Sequence, residues 1–158
     1  MSDAEAIAVL WHSGWGDAHL GHVPLALLDH RSLPDFHVRV PERIATTVVA
    51  TLDSEVVGFV TVHDDEIEQL YVAESARGGS VAAALLARGE QMIAARFERA
   101  WLGVVAGNAR ARRFYAKQGW REAGAFDYNA QVARGTIPVP CLRYEKRLIL
   151  KARSSRDG

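Results

Sequence analysis

The sequence predicts a mixed α/β (α+β) fold in which helices flank a central, mostly antiparallel twisted sheet. Three observations predict it. Two β-branched runs, Thr47–Leu52 and Glu55–His63, are separated only by Asp53 and Ser54, the spacing of a hairpin. Residues 67–86, IEQLYVAESARGGSVAAALL, pass from a strand through a tight Arg-Gly-Gly-Ser turn into a helix. Residues 100–120 then repeat strand and helix and enter another strand, an order that implies a parallel pair with a crossover beside the antiparallel hairpins.

Each element has its own signal. Residues 4–15 carry Ile7, Leu10 and Trp11 at helical spacing, and residues 19–43 hold two further short helical candidates separated by Pro24, Pro34 and Pro41, so the N-terminal part reads as a cap of helices. Glu66–Val72 is a third strand after the hairpin. Val81, Leu85 and Met92, with Ala82, Leu86 and Ile93, give an amphipathic helix to about residue 95 whose apolar face covers the sheet. Residues 100–105 read as a buried strand, Asn108 as the N-cap of the next helix and Gly119 as its left-handed stop, with a strand starting at Trp120. Residues 129–137 are polar and contain glycine, which reads as a loop before a last strand at 141–147. Pro138 and Pro140 place the start of that strand on an edge. Residues 151–158 are charged, serine-rich and aperiodic, so one domain over 1–150 with a frayed tail is expected. There are no internal repeats.

Composition narrows the function classes. The 158 residues are 49% hydrophobic and 24% charged, enough for one substantial core. Lys plus Arg equals Asp plus Glu at 19 each, so no long-range basic field recruits nucleic acid or an anionic membrane. Cys141 is the single cysteine, which excludes an internal disulfide; no Cys/His spacing suggests a metal site. Neither a secretory leader pattern nor an eighteen-residue apolar run is present, so a cytoplasmic location is expected.

The turn at residues 77–82 carries chemistry. A helix starts with amides that have no partner inside the helix and with partial positive charge, which together stabilise an anion. Gly78 and Gly79 let a ligand approach the main chain, Ser80, Ala82 and Ala83 keep the first turn narrow, and Arg77 adds a cation. RGGSVA at 77–82 resembles the acyl-CoA pyrophosphate loop of the GCN5-related N-acetyltransferase (GNAT) family, Q/R-x-x-G-x-G/A, with Ser80 where the pattern has glycine. NARARRFYAKQGW at 108–120 resembles the same family's N-x-x-A-x-x-F-Y-x-x-x-G-F/W helix. Two blocks in order are far more specific than either alone. The resemblance covers about residues 47–148 and weakens over the first forty, where the family's acceptor-binding helices lie; the family's usual first strand is expected to be missing or very short.

The resemblance implies an acetyl-CoA-dependent N-acetyltransferase with no metal. Main-chain groups of Leu70, Tyr71 and Val72 would pair with the pantetheine arm, residues 77–82 would hold the diphosphate, and Asn108, Ala111, Phe114 and Tyr115 would cover the coenzyme, with the Tyr115 phenol at its sulfur as general acid. Acetyl transfer also needs a neutral amine, and an alkylammonium of pKa about 10.4 supplies roughly one neutral molecule in a thousand at pH 7. Glu66 and Glu68, two apart on one strand, share a face that Leu70 and Val72 continue, and either could serve as base. Glu68 lies nearer the acyl end; many members of the family use no dedicated glutamate. Trp11, Trp15, His19 and His22, with Tyr128, are candidates for the acceptor pocket, where aromatic faces and imidazoles suit a cationic or aromatic acceptor. Arg110, Arg112 and Arg113 read as a mainly solvated face from which one arginine could meet the 3′-phosphate.

The leading expectation is direct attack by a small amine within a ternary complex. The alternatives are a non-catalytic acyl-CoA binding or sensing module, and an acetyltransferase acting on a protein or tRNA. Many relatives pair as dimers, so the resemblance also admits a homodimer.

Overall fold

In the computed structural model, which describes residues 2–149, β1 (Thr47–Leu52) and β2 (Glu55–His63) pair antiparallel across Asp53 and Ser54. Both turn residues are left-handed, with φ of 53° and 69°, the backbone whose twist matches the flanking strands. A similar turn at Asp64 leads into β3 (Glu66–Val72). The three strands have the limits read from their β-branched runs. The tail expected over 151–158 lies outside the described residues.

The N-terminal cap consists of α1 (Asp3–His19), α2 (Leu25–Leu28) and α3 (Leu33–Arg43). Ser2 caps α1 by accepting from the Glu5 amide, and Ile7, Ala8, Trp11 and Trp15 form its buried stripe. Ser32 and Asp35 form a reciprocal capping box on α3, with the Ser32 amide donating to Asp35 Oδ2 at 2.8 Å. The prolines do not divide this region as expected. Pro34 sits in the first turn of α3, where its missing amide costs nothing, and Pro41 lies inside the same helix, near its end.

The second half supplies α4 (Val81–Ala94), β4 (Arg99–Val104), α5 (Ala109–Lys117), β5 (Arg121–Gln131) and β6 (Thr136–Arg147). The strand order is β1-β2-β3-β4-β6-β5, antiparallel throughout except for β3 and β4. Asn108 caps α5 through the Ala111 amide, and Gly119, at φ 90°, follows the end of that helix. The loop read at 129–137 is a correction: β5 continues to Gln131 and β6 begins at Thr136, leaving only a tight turn closed by the Val132 amide on the Gly135 carbonyl. Cross-strand pairing overrides polar composition there, because Tyr128, Ala130, Val132 and Ile137 pack on the α1–α3 core while the residues alternating with them, such as Asn129 and Gln131, face outward and need no burial. Pro138 and Pro140 pair with β5 alone, since the β4 ladder ends at Leu142, so that stretch is a local edge.

Two cores result, one on each face of the sheet. Leu85, Leu86 and Ile93 of α4 pack with Val60, Ile67 and Leu102 on one face, where Tyr115 and Trp120 join them. On the other, Trp11 and Trp15 of α1 and Phe36 of α3 pack on Phe59 and Tyr71. α1 approaches β3 so closely that a Cβ at Gly14 would overlap the Tyr71 ring.

Candidate active site

The parallel strands β3 and β4 are joined at a single position, Glu66 opposite Trp101. Asp65 fixes that end: its carbonyl accepts from the Trp101 amide at 3.0 Å and its carboxylate from Trp101 Nε1 at 3.1 Å. Beyond this point the strands share no ladder, and a cavity of about 320 Å³ opens between them. Leu70 and Tyr71 line it from β3, Gly103 and Val104 from β4, and Asn108, Ala111 and Tyr115 from the α5 side.

A bulge sets what β3 presents to this cavity. Ile67 pairs with Val62 and Gln69 with Thr61, which leaves Glu68 as an extra residue without a partner on β2. The alternation therefore changes phase. Leu70 and Val72 pack on the α4 face, whereas Glu66 reaches Tyr128 and Glu68 reaches Arg43 at the end of α3, on the opposite face. The expectation that Leu70 and Val72 continue the row of Glu66 and Glu68 is thus corrected by one inserted residue.

The glycine loop between β3 and α4 is open but does not line this cavity; its Arg77 borders a neighbouring depression that shares Ala18 and Asn108 with it. Gly78 has φ 85°, and a Cβ placed there would meet no atom within 4 Å. Ser80 occupies the N-cap of α4 without a side-chain bond to the first turn, so it leaves the amides of Val81 and Ala82 uncapped. Arg77 is anchored rather than free, donating to Asp17 of α1 at 3.1 Å. His22 and Arg110 lie around the shallow depression between this loop and α5, and a Cβ at Gly107 would overlap the His22 ring. Arg112 is tied to the Ala106 carbonyl, Tyr144 and Glu122, and is not available to a ligand. Phe114 packs edge-on against Tyr115. The Tyr115 phenol lies in the cavity wall, makes no hydrogen bond among the described residues, and is held protonated by burial, which moves its pKa well above the usual phenol range.

The α1–α3 side holds charge. Glu66 is only 9% exposed and accepts a hydrogen bond from the Tyr128 hydroxyl. Burial pushes its pKa up to about 7; the Tyr128 bond opposes the shift and the neighbouring Glu68 carboxylate adds to it. Glu68 is held by Arg43, whose Nε lies 3.2 and 3.3 Å from its two carboxylate oxygens. His19 stacks on Trp15 at 4.8 Å between ring centroids and has a ring nitrogen 3.0 Å from the Trp15 carbonyl. Burial lowers its pKa to about 4, so the imidazole is neutral at physiological pH. Trp15, His19 and Tyr128 therefore line one cavity with Glu66, Glu68 and Tyr115.

Two expected acceptor residues are elsewhere. Trp11 is 4% exposed and packs on Phe36 and Phe59 in the core, because the i, i+4 step from Trp11 to Trp15 carries only the latter to the cavity. His22 borders the depression at the glycine loop instead. Sequence reading also missed Arg31, Arg39 and Arg43, all of which line the cavity. Arg39 and Arg43 are four apart on α3, so an uninterrupted helix over 33–43 would have placed them on one face. Cys141 lines the cavity too, but burial raises its thiol to about 11, which suppresses the thiolate a nucleophile needs.

A mixed sheet parted between its two parallel strands, with an open glycine turn leading from the first of them into a helix N-terminus, defines the class of acyltransferases that take their acyl group from coenzyme A. The chain belongs to the acetyltransferase (GNAT) family, whose model matches residues 11–120. A GCN5-related N-acetyltransferase of Rhodopseudomonas palustris superposes with a TM-score of 0.71 at 20% identity, covering 92% of this chain and 90% of that one. The ribosomal-protein-alanine N-acetyltransferase of Brucella melitensis does so at 0.64 and 23% identity, over 94% and 97%. The Salmonella typhimurium protein yncA, solved with its cofactor acetyl-CoA, reaches 0.65 at 15% identity, over 94% and 91%. At these identities the likeness is one of fold. No curated protein matches the chain in sequence. Among the described residues, no helix is long and apolar enough to cross a membrane.

Proposed function

We propose that residues 1–150 form one acetyltransferase domain that transfers an acetyl group from acetyl-CoA to a small amine by direct attack in a ternary complex. One observation carries the reading: the opening between β3 and β4 brings the Glu66–Tyr128 pair and the unbonded Tyr115 hydroxyl into a single cavity beside the glycine loop. The open Gly78–Gly79 turn and the uncapped start of α4 fit a diphosphate, with Arg77 at the rim. The main chain of Leu70, Tyr71 and Val72, unpaired on its β4 side, fits an extended arm added as a strand. Asn108, Ala111 and Phe114 cover the same arm from α5.

When bound, acetyl-CoA supplies an acetyl thioester, an activated acyl group with a sulfur leaving group. Glu66 takes the proton of the acceptor ammonium: its pKa of about 7 keeps a large fraction ionised at neutral pH while leaving it basic enough to accept that proton. The Tyr128 hydroxyl orients the carboxylate. Geometry favours Glu66 over Glu68 as base, because Arg43 already occupies the Glu68 carboxylate. Tyr115 keeps its proton throughout the working pH range and donates a hydrogen bond to the leaving sulfur. A phenol raised above its ordinary value is a weaker acid than a thiol of pKa about 8.5, so Tyr115 steadies the departing thiolate through its hydrogen bond without giving up its proton, and the proton that the nitrogen sheds on forming the amide neutralises the thiolate. Trp15 and His19 wall the acceptor side.

The test is an amine panel incubated with acetyl-CoA, read by thiol release and by an added acetyl mass on the acceptor. Both signals should appear together with at least one small amine. A rise in melting temperature with acetyl-CoA but no thiol release with any amine would instead indicate a binding module.

A further inference from the structure

We propose that the acceptor is a small amine that also bears a carboxylate, and that Arg31 and Arg39 bind that carboxylate. This rests on the reading of the α1–α3 half of the cavity as the acceptor pocket and narrows it to amino-acid-like molecules. Arg31 is 7% exposed, yet its bonds go to neutral main-chain oxygens only: Nη1 donates to the His30 carbonyl at 2.9 Å and Nη2 to the Gln131 carbonyl at 2.8 Å. Its Nε is buried with no partner. No carboxylate lies within ion-pair distance of Arg31 or Arg39 among the described residues, since the nearby Glu68 is taken by Arg43 and Glu66 by Tyr128. Arg39 forms no hydrogen bond among the described residues and lies 4.6 Å above the centroid of the Trp11 ring.

Burying a guanidinium without a counter-charge is costly, and carbonyl bonds offset only part of the loss. Burial lowers the pKa of both arginines, that of Arg31 to about 10, which leaves each charged at neutral pH. The cavity is therefore lined by three arginines against two glutamates, one of them near half-protonated at pH 7. An acceptor that was only a cation would be repelled here. A zwitterion fits both signs, its carboxylate on the planar donor forks of Arg31 and Arg39 and its ammonium towards Glu66. The scale fits as well, because about 320 Å³ shared with a thioester arm leaves room for a molecule of amino-acid size.

The test is calorimetric titration of the full chain with the twenty amino acids, each matched to its amide and to its decarboxylated amine, alongside thiol release with acetyl-CoA. At least one amino acid should bind at least tenfold more tightly than both of its matched compounds, and Arg39→Gln should erase that margin. Arg39 is the residue to change because no main-chain carbonyl depends on it, whereas Arg31→Met would strip His30 and Gln131 of their donor. A tenfold margin without thiol release would support the carboxylate site and overturn acetyl transfer. Amides or plain amines turned over as well as the amino acids would overturn the carboxylate site and leave the transferase standing. Binding by none of the amino acids, or an unchanged margin in Arg39→Gln, would also overturn the carboxylate site.

Discussion

On the α4 face the cavity offers main chain and uncharged side chains, Leu70, Leu102, Ala111 and Tyr115 among them, whereas on the α1–α3 face it offers the charges of Glu66, Glu68, Arg31, Arg39 and Arg43 on long side chains. Under the proposed function, the first side meets a coenzyme that never varies, and the second meets whatever acceptor this chain uses. Backbone amides and a glycine turn recognise a diphosphate or an amide-rich arm by geometry alone and tolerate substitution around them. Buried charges behave differently: each must be matched by a partner, so the α1–α3 face determines selectivity at a cost in stability.

Changes on the two faces should therefore fail in different ways. The largest effect is expected from Glu66→Gln, which removes the base and should lower kcat/KM by about 10²-fold or more. The limb of the pH–rate profile near pH 7 should vanish with it; a surviving limb would move the base elsewhere. Tyr115→Phe should cost somewhat less, about 10- to 10²-fold in kcat. Because Tyr115 serves the leaving sulfur, that loss should be the same for every acceptor and leave the pH profile in place. Acceptor-dependent losses at Tyr115 would erase the distinction between the faces.

The turn and helix that the proposed function gives to the coenzyme were legible in the sequence, whereas the α1–α3 face was legible only in part, through Trp15, His19, Glu66, Glu68 and Tyr128 and not through its arginines, for a physical reason. A diphosphate loop has strict backbone requirements, so Gly78, Gly79 and the small residues after them mark it locally, and Asn108 through Gly119 declare a capped helix in the same way. The acceptor pocket is assembled from residues as distant in sequence as Arg31 and Gln131, whose meeting depends on the whole hairpin folding back. The bulge at Glu68 is equally silent, because one inserted residue leaves no mark on the alternation of IEQLYV until the register against β2 is known. Trp11 and Trp15 show the same limit: identical residues a helical turn apart, one in the core and one at the cavity.

The seam between α1 and β3 offers a structural counterpart. A Cβ at Gly14 would overlap the Tyr71 ring, so Gly14→Ala must displace either the helix or the ring, at about 1–3 kcal/mol. For a chain of this length that lowers the melting temperature by several degrees. Since the Tyr71 ring packs with Trp15 on the α1–α3 side while its main chain stays paired with β2, KM for the acceptor should rise more than KM for acetyl-CoA; equal changes would mean that α1 shapes both sides alike.

The smallest effect concerns how two buried groups on the same face offset each other with pH. Glu66, raised from 4.5 to about 7, contributes stability that is fully present below pH 4.5 and is lost as pH rises through 7. His19, lowered from 6.5 to about 4, contributes stability present above pH 6.5 and lost as pH falls through 4. Between pH 4.5 and 6.5 the two slopes have opposite signs, each at most about 1.4 kcal/mol per pH unit, and so this pair leaves the melting temperature nearly flat. Single variants should expose each slope: in Glu66→Gln the melting temperature should climb with pH across this window relative to wild type, and in His19→Asn it should fall. Parallel curves for all three proteins would show that neither group is buried deeply enough in solution to feel the field that the α1–α3 face imposes.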